Sequence, residues 1–327
     1  MDQKFICTTD KETADKLKSM GFTCLGKEDS DGSFYKYNDL SKCRTIRNSY
    51  YPLWMYEKRG INVPELAPLE RRILSVDVAL MASSKKSKND ATAICINVAL
   101  PTENNYVSNI VYVETFEGLT TDELGIIIMR YFYKYNCTDL VLDTNGNGLG
   151  PYDFIIKEQY DSVTGETYEA MTSRNNPDMA ARCKVRSANK VVWCVKADGN
   201  FNSNAAKGLR AGIMNGNIKL LCSEFEAEQV LNKVSGYQKM VTKEQVALKM
   251  PYVQTSMLIN EMVNLEHEMN NDKVKLKERS GMRKDRFSSL AYNYAVTQLL
   301  SLDLKPKNTE QDILDLLEIR PAKMIKH

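Results

Sequence analysis

Three aspartates that are far apart in the chain stand at the boundaries of regular segments. Asp77 directly follows an apolar strand-like segment, Asp143 follows a second one, and Asp285 begins a segment with helical character. Carboxylates that converge repel one another unless a cation lies between them, and Mg²⁺ and Mn²⁺ prefer oxygen ligands. Two such ions can stabilise both the attacking and the leaving oxygen of a phosphodiester displacement. The three residues therefore predict a site for two Mg²⁺ or Mn²⁺ ions, with Asp77 between them.

Each aspartate also has a purely structural interpretation. A single acid at a strand end or a helix start is commonly a cap, and the charge of Asp285 would suit the dipole of its own helix. The metal-site hypothesis depends on all three acids lying on elements whose ends meet. No histidine is needed for this chemistry, and the chain has only two.

The elements that would position these acids follow one another in a mixed α/β pattern. Three strands in succession predict an antiparallel meander, and a capped helix and a short apolar strand of the buried parallel kind come next. The predicted ranges are 73–80, 91–100 and 110–115 for the strands, 121–135 for the helix and 140–142 for the fourth strand. This order resembles the ribonuclease H-like core, a mixed sheet flanked by helices with its site at one rim of the strands.

The rest of the chain predicts four helices and two strands around a small hairpin. The helices are expected near 152–159, over 204–214 and 256–269, and from Asp285 onward, the strands over 190–195 and 218–221, and the hairpin around 270–272. On the third of these helices, Glu261, Glu266 and Glu268 are expected to form an exposed face. The glycines at 146, 148 and 150 lack dinucleotide-loop spacing and instead predict a tight turn.

The domain organisation follows from the turns and the prolines. Residues 1–40 predict a small β-α-β-β module, and residues 41–70, which mix aromatics with prolines, predict a linker that packs on the main domain. The nuclease-like domain is expected over 71–305 and a helical tail over 306–327.

Composition limits the class of protein without identifying it. The 327 residues are 43% hydrophobic and 26% charged, and the apolar runs are too short to span a bilayer, so we expect a soluble protein that stays inside the cell and does not engage a membrane. The eight cysteines never form a Cys-x-x-Cys pair, which argues against structural zinc and a disulfide framework. Net charge is only +2, so any nucleic-acid contact must come from local basic clusters.

A set of motifs in a defined order resembles a known family. The set comprises the run Arg72–Ala79 with the polar stretch ending at Asp90, Leu142–Gly148, Phe201–Asn204 with Asn215–Ile218, and Gly281–Tyr292. Together they are similar to the nuclease domain of the large terminase subunit of tailed bacteriophages, over roughly residues 45–300.

The resemblance implies a ribonuclease H-like endonuclease that cuts concatemeric phage DNA during genome packaging. By position, Asp77 matches the acid of the first strand, Asp143 the acid of the fourth strand, and Asp285 the acid at the start of the last helix. Asp90 matches an auxiliary metal-binding acid found in some members. For the whole chain, the resemblance implies that the partners are double-stranded DNA, the terminase ATPase motor, the small terminase subunit and the portal, in the cytoplasm of the host cell.

DNA contacts are expected from four basic residues. Lys284 and Arg286 flank Asp285, and Lys207 and Arg210 lie on the helix predicted over 204–214. Lysine and arginine dominate binding to the phosphate backbone whatever the base sequence.

One departure from the family pattern is large. A large terminase has an ATPase motor with a glycine-rich loop ending in Gly-Lys-Ser/Thr, and this chain has no such loop. The motor is then either a separate polypeptide or replaced by the module at 1–40. Two other functions remain open: a non-catalytic DNA-binding or docking module of a packaging machine, and a ribonuclease H-like strand-transfer enzyme.

Overall fold

The structure is a computed structural model that describes residues 19, 63, 65–80, 91–234, 236–270, 273–279 and 282–304. The predicted module at 1–40 apart from residue 19, most of the linker at 41–70, the tail at 306–327 and Asp90 lie outside the described residues.

A seven-stranded sheet forms the centre of the described fold, in the order β7-β8-β4-β1-β2-β3-β9. Its strands are β1 (Arg71–Asp77), β2 (Thr92–Pro101), β3 (Tyr106–Phe116), β4 (Asp139–Asp143), β7 (Met171–Ser173), β8 (Asn189–Val195) and β9 (Ile218–Lys219). Two separate hairpins complete the strands: β5 (Gln159–Asp161) with β6 (Glu166–Tyr168), and β10 (Leu265–Asn270) with β11 (Lys273–Glu278).

The strand directions confirm the ribonuclease H-like arrangement. β2 runs antiparallel to both β1 and β3, whereas β1, β4 and β8 run parallel to one another. The meander β1–β2–β3 and the parallel strand β4 are therefore as the sequence predicts. In this arrangement the carboxyl ends of β1, β4 and β8 meet at one rim of the sheet.

Seven helices in the described part of the chain surround the sheet. They are α1 (Thr121–Lys134), α2 (Leu149–Ile155), α3 (Pro177–Arg182), α4 (Gly199–Met214), α5 (Glu224–Leu231), α6 (Thr242–Val263) and α7 (Asp285–Leu300). Within that same part, no helix is long and apolar enough to cross a membrane.

The alternation of side chains along β1 and β4 divides the core into two layers. Leu74, Val76, Leu140 and Leu142 pack with α1 and α2 on one face of the sheet. On the other face, Ile73 and Val141 pack with residues of α7, and α4 and α6 complete that layer. Because the side-chain period of a strand is two, Asp77 and Asp143 belong to the face that α7 covers.

Buried polar side chains fix α7 against the sheet. Asn293 donates to the Ile73 carbonyl (2.9 Å) and to the Ser75 hydroxyl (3.1 Å), and Ser75 donates to the Ser289 carbonyl (2.8 Å). Asn97 on β2 donates to Asn293 Oδ1 at 2.9 Å. Misplacing α7 would leave these buried groups unpaired, which costs about 1–3 kcal/mol each.

The structure also corrects several boundaries. The helix expected at 256–269 ends at Val263, and the residues after it form β10, so Glu266 and Glu268 lie on a strand rather than on a helix face. The elements β5, β6, β7, α3 and α5 were not expected. The five described cysteines are all free thiols, four of them buried.

Candidate metal and DNA site

Two of the three aspartates end neighbouring parallel strands. Val76 of β1 pairs with Leu142 of β4, so Asp77 and Asp143 follow in the same register. Adjacent strands lie about 4.8 Å apart, and residues in register point to the same face. The sheet therefore brings together two acids that are separated by more than sixty residues of sequence.

The third aspartate approaches from the helix layer. Asp285 is the first residue of α7 and is buried, and its Oδ2 accepts the backbone N–H of Ala91 at 3.1 Å. Ala91 immediately precedes β2, the antiparallel neighbour of β1, whose Ala93 pairs with Asp77. Asp285 thus lies beside the rim where β1 and β4 end.

Electrostatics link the three acids. The pKa of Asp77 is raised to about 7, mainly by burial and to a lesser extent by the charges of Asp285 and Asp143. A hydrogen bond from Ser288 and the charge of Lys284 partly offset these increases. An acid whose pKa is raised by burial and by like charges is in a position that favours a bound cation over a bare carboxylate.

The carboxyl group of Asp143 is held by hydrogen bonds from the backbone. Its Oδ1 accepts the N–H of Asn145 (3.0 Å) and of Ala197 (3.3 Å), which fixes the carboxyl between two loops. Burial raises its pKa, and these two hydrogen bonds oppose the increase.

The donor set suits a hard divalent cation bound partly through water. In the described part of the chain, no three His, Cys, Asp or Glu side chains stand close enough to hold one metal ion as they are. Mg²⁺, however, keeps several waters and is usually bound by one or two carboxylates together with substrate phosphate oxygens. Neighbouring carboxylates of this kind fit Mg²⁺ or Mn²⁺ better than they fit a closed zinc site.

The turn after Asp143 depends on a glycine. A Cβ added to Gly148 would lie 1.6 Å from the carbonyl oxygen of Asp143, and Gly146 adopts a left-handed φ of +69°. The sequence interpretation of these glycines as a tight turn is therefore correct: the start of α2 packs directly on the backbone of Asp143.

A cleft of about 540 Å³ lies beside the acids, between the start of α4, the β10–β11 hairpin and α7. Lys273 and Lys275 of β11 and Lys284 line it, together with Ser288, the residue that hydrogen-bonds Asp77. The cleft is therefore basic and adjoins the acidic rim.

The four basic residues expected to contact DNA differ in their positions. Lys284 lines the cleft and forms an ion pair of 2.9 Å with Glu278. Lys207 is exposed and Arg210 partly exposed, both farther along α4 than Asn202, which marks the cleft end of that helix.

Arg286 requires a correction. Its side chain is 12% exposed and donates to Glu261 (2.5 Å), Gln254 (2.8 Å) and Thr115 (3.2 Å). The guanidinium is occupied by hydrogen bonds within the protein, so the expectation that Arg286 contacts DNA is wrong. Glu261, expected on an exposed face, is buried as the partner of Arg286.

Sequence reasoning did not assign three residues of this region. Lys273 and Lys275 were not among the expected DNA contacts, although their alternation with Val274 and Leu276 indicates a strand with one charged face. Ser288 lies one helical turn after Asp285 and so faces the same rim, a relation visible from the spacing alone.

Comparisons with known proteins find similarity in structure rather than in sequence. No protein-family model matches the sequence, and no curated protein matches it. The large terminase nuclease of thermophilic phage G20c with bound cobalt is 14% identical, with 76% of this chain and 96% of that chain covered and a TM-score of 0.39. A mutant gp2c of the large terminase subunit of bacteriophage Sf6 with calcium is 8% identical (80% and 98% covered, TM-score 0.41). The HK97 bacteriophage large terminase is 10% identical (80% and 43% covered, TM-score 0.40). The chain is thus similar in structure to large terminase nuclease domains.

Proposed function

We propose that this chain is a metal-dependent endodeoxyribonuclease that cuts concatemeric viral DNA during genome packaging. The observation that supports this most is the register of β1 and β4, which sets Asp77 and Asp143 side by side at the rim where α7 presents Asp285. The adjoining lysine-lined cleft suits a phosphate backbone.

In this proposal Asp77, Asp143 and Asp285 would hold the divalent metal ions. When bound, Mg²⁺ or Mn²⁺ supplies an activated water and neutralises charge on the leaving oxygen. The Ser288 hydroxyl orients the Asp77 carboxylate, and the amides of Asn145 and Ala197 hold one oxygen of Asp143 in place.

In this proposal the lysines of the cleft bind the substrate, and the net charge of the whole chain contributes little. Lys273, Lys275 and Lys284 contact backbone phosphates, so binding does not depend on base sequence. Lys207 and Arg210, which lie farther along α4, contact the phosphates of DNA that extends beyond the cleft.

The packaging context follows from the sequence resemblance. We propose that the substrate is double-stranded DNA in the host cytoplasm and that the chain works with the terminase ATPase motor, the small terminase subunit and the portal.

Plasmid nicking by the purified chain tests the proposal. We expect nicked and linear products with Mg²⁺ or Mn²⁺, none with chelator, and none from Asp77→Asn or Asp143→Asn variants whose circular dichroism shows a folded protein. Asp122→Asn, at an exposed position in the first turn of α1, is the matched control and should cleave normally.

Two outcomes would point to the other functions. DNA binding without cleavage in any divalent metal would favour a docking module. Products in which the cut strand is joined to a second duplex would favour strand transfer.

A further inference from the structure

The first turn of α7, which begins with Asp285, is capped from another helix. The residue before α7, Lys284, gives no side-chain cap, although the first N–H groups of a helix lack partners within it. Glu261 of α6 supplies one: its Oε2 accepts the N–H of Phe287 at 3.1 Å. A carboxylate at a helix N-terminus is also favoured by the helix dipole.

Through Arg286, the same carboxylate also connects this turn to a second residue of α6 and to β3. Glu261 Oε1 accepts from Arg286, which also donates to Gln254 of α6 and to Thr115 of β3. The Glu261 side chain is 5% exposed, so water competes little for these bonds. A buried charge pair that is fully hydrogen-bonded fixes geometry, and breaking it by removing one partner is costly.

We propose that Glu261 is a positioning residue for Asp285, a role that rests on the function proposed above. By holding the N–H of Phe287 and the guanidinium of Arg286, it keeps Asp285 beside the ends of β1 and β4, where a divalent cation would be shared. Groups that orient a metal ligand typically change metal affinity about 10–100-fold when mutated.

The test is a titration of the full chain with Mn²⁺ in the absence of DNA. The concentration of free Mn²⁺ is measured by electron paramagnetic resonance. Glu261→Gln should weaken Mn²⁺ affinity about tenfold or more. A double variant, Glu261→Met with Arg286→Met, removes both charges and should regain much of the thermal stability. It should still bind Mn²⁺ weakly, because the N–H of Phe287 remains without its acceptor.

Asp161 provides a matched control on the other layer of the sheet. It is buried, pairs with Arg130 through both oxygens and accepts the N–H of Val163, so like Glu261 it accepts from one arginine and one backbone N–H. Asp161→Asn should lose stability and keep wild-type Mn²⁺ affinity. Amide hydrogen exchange at Phe287 should accelerate in Glu261→Gln and not in Asp161→Asn.

Three results would overturn the proposal in distinguishable ways. Wild-type Mn²⁺ affinity in Glu261→Gln, even with faster exchange at Phe287, would show that the cap does not position Asp285. If Mn²⁺ affinity fell in proportion to the melting temperature in both Glu261→Gln and Asp161→Asn, Glu261 would only stabilise the fold and would not position Asp285. A wild-type chain that binds no Mn²⁺, or binding unchanged in Asp77→Asn, would remove the proposed function itself.

Discussion

Three influences act on the carboxyl group of Asp77. It is partly shielded from water, it faces the charges of Asp285 and Asp143, and it has only a hydroxyl and a partly exposed lysine in compensation. Burial dominates, and the pKa of Asp77 rises to about 7. Without a cation, this residue therefore holds a proton under conditions in which an ordinary aspartate has lost it.

This raised pKa predicts how the metal-free protein responds to pH. Below pH 3.8, the ordinary value, Asp77 is protonated in both folded and unfolded chains, so its protonation favours neither. As pH rises from there to about 7, the unfolded chain releases the proton more easily, and folding loses stability. We expect the contribution of Asp77 to lower the melting temperature of the chelator-treated protein over this range, and Asp77→Asn to abolish that contribution. Thermal unfolding at several pH values checks it; identical profiles for both proteins would contradict it.

The proposed metal site predicts the opposite trend once a divalent cation is added. Mg²⁺ that binds only the folded chain stabilises it by mass action, and binding must displace the proton of Asp77. The rise in melting temperature with Mg²⁺ should therefore be larger at pH 8 than at pH 5. Asp143→Asn, which removes a proposed ligand and leaves the Asp77 carboxyl in place, should show little rise at either pH. An equal rise at both pH values in the wild type would contradict the prediction.

The residue types of the site were predictable, but the partners were not. Asp77, Asp143 and Asp285 follow from their places at segment boundaries. The buried pair of Glu261 and Arg286 does not, because a charged residue looks exposed in sequence unless the helix that covers it is known. Arg286 directly follows Asp285, yet its side chain points to α6 and β3 instead of the cleft.

Among the elements, those with a clear period were predictable, whereas several of the short ones were not. β1 to β4, α1 and α7 have continuous apolar patterns, so their order could identify the fold. β5, β6 and β7 have three residues each, which is too few to show a period in the sequence. α6 was placed too late in the chain because Pro251 lies inside it, and proline usually marks a helix boundary.

The turn from β4 to α2 shows how an element constrains the site. Gly148→Ala would place a Cβ against the carbonyl oxygen of Asp143, so the turn must shift. We expect a loss of about 1–3 kcal/mol in the free energy of unfolding, the usual range for overpacking, and reduced DNA cleavage because Asp143 moves with the turn. Urea unfolding and plasmid nicking measure the two effects.

Gly199→Ala is the matched control for this substitution. Gly199 is the first residue of α4, and an added Cβ there meets no atom within 4 Å. Since alanine favours a helix more than glycine does, the free energy of unfolding should stay unchanged or rise slightly. If Gly148→Ala were equally harmless, the close packing on Asp143 would not constrain the site.

Across the whole molecule, the two ends of the sheet treat buried acids differently. Asp139, at the start of β4, is fully buried, yet Arg71, Arg174 and the indole of Trp193 neutralise or bond it. At the other end of the same strand, Asp143 has carboxylates near it and a lysine cleft beyond. Only that second end has negative charge left for a cation next to positive charge suited to phosphate.

This asymmetry predicts that DNA affinity depends on where a lysine lies, since the net charge of the chain is only +2. Each lysine that neutralises a duplex phosphate contributes about 0.9 to the slope of log affinity against log salt. Replacing both Lys273 and Lys275 by glutamine should weaken DNA binding and lower the magnitude of that slope by about 2. Fluorescence anisotropy with a labelled duplex at several salt concentrations measures both.

The control removes the same amount of charge from the opposite end of the sheet. Lys134 ends α1 and Lys190 lies at the start of β8, so both are near the end where β4 begins rather than where Asp143 lies. The double glutamine variant of these two should bind DNA with nearly the wild-type affinity and slope. If the two double variants lost affinity equally, DNA would be responding to net charge alone, and the cleft would have no special part in binding it.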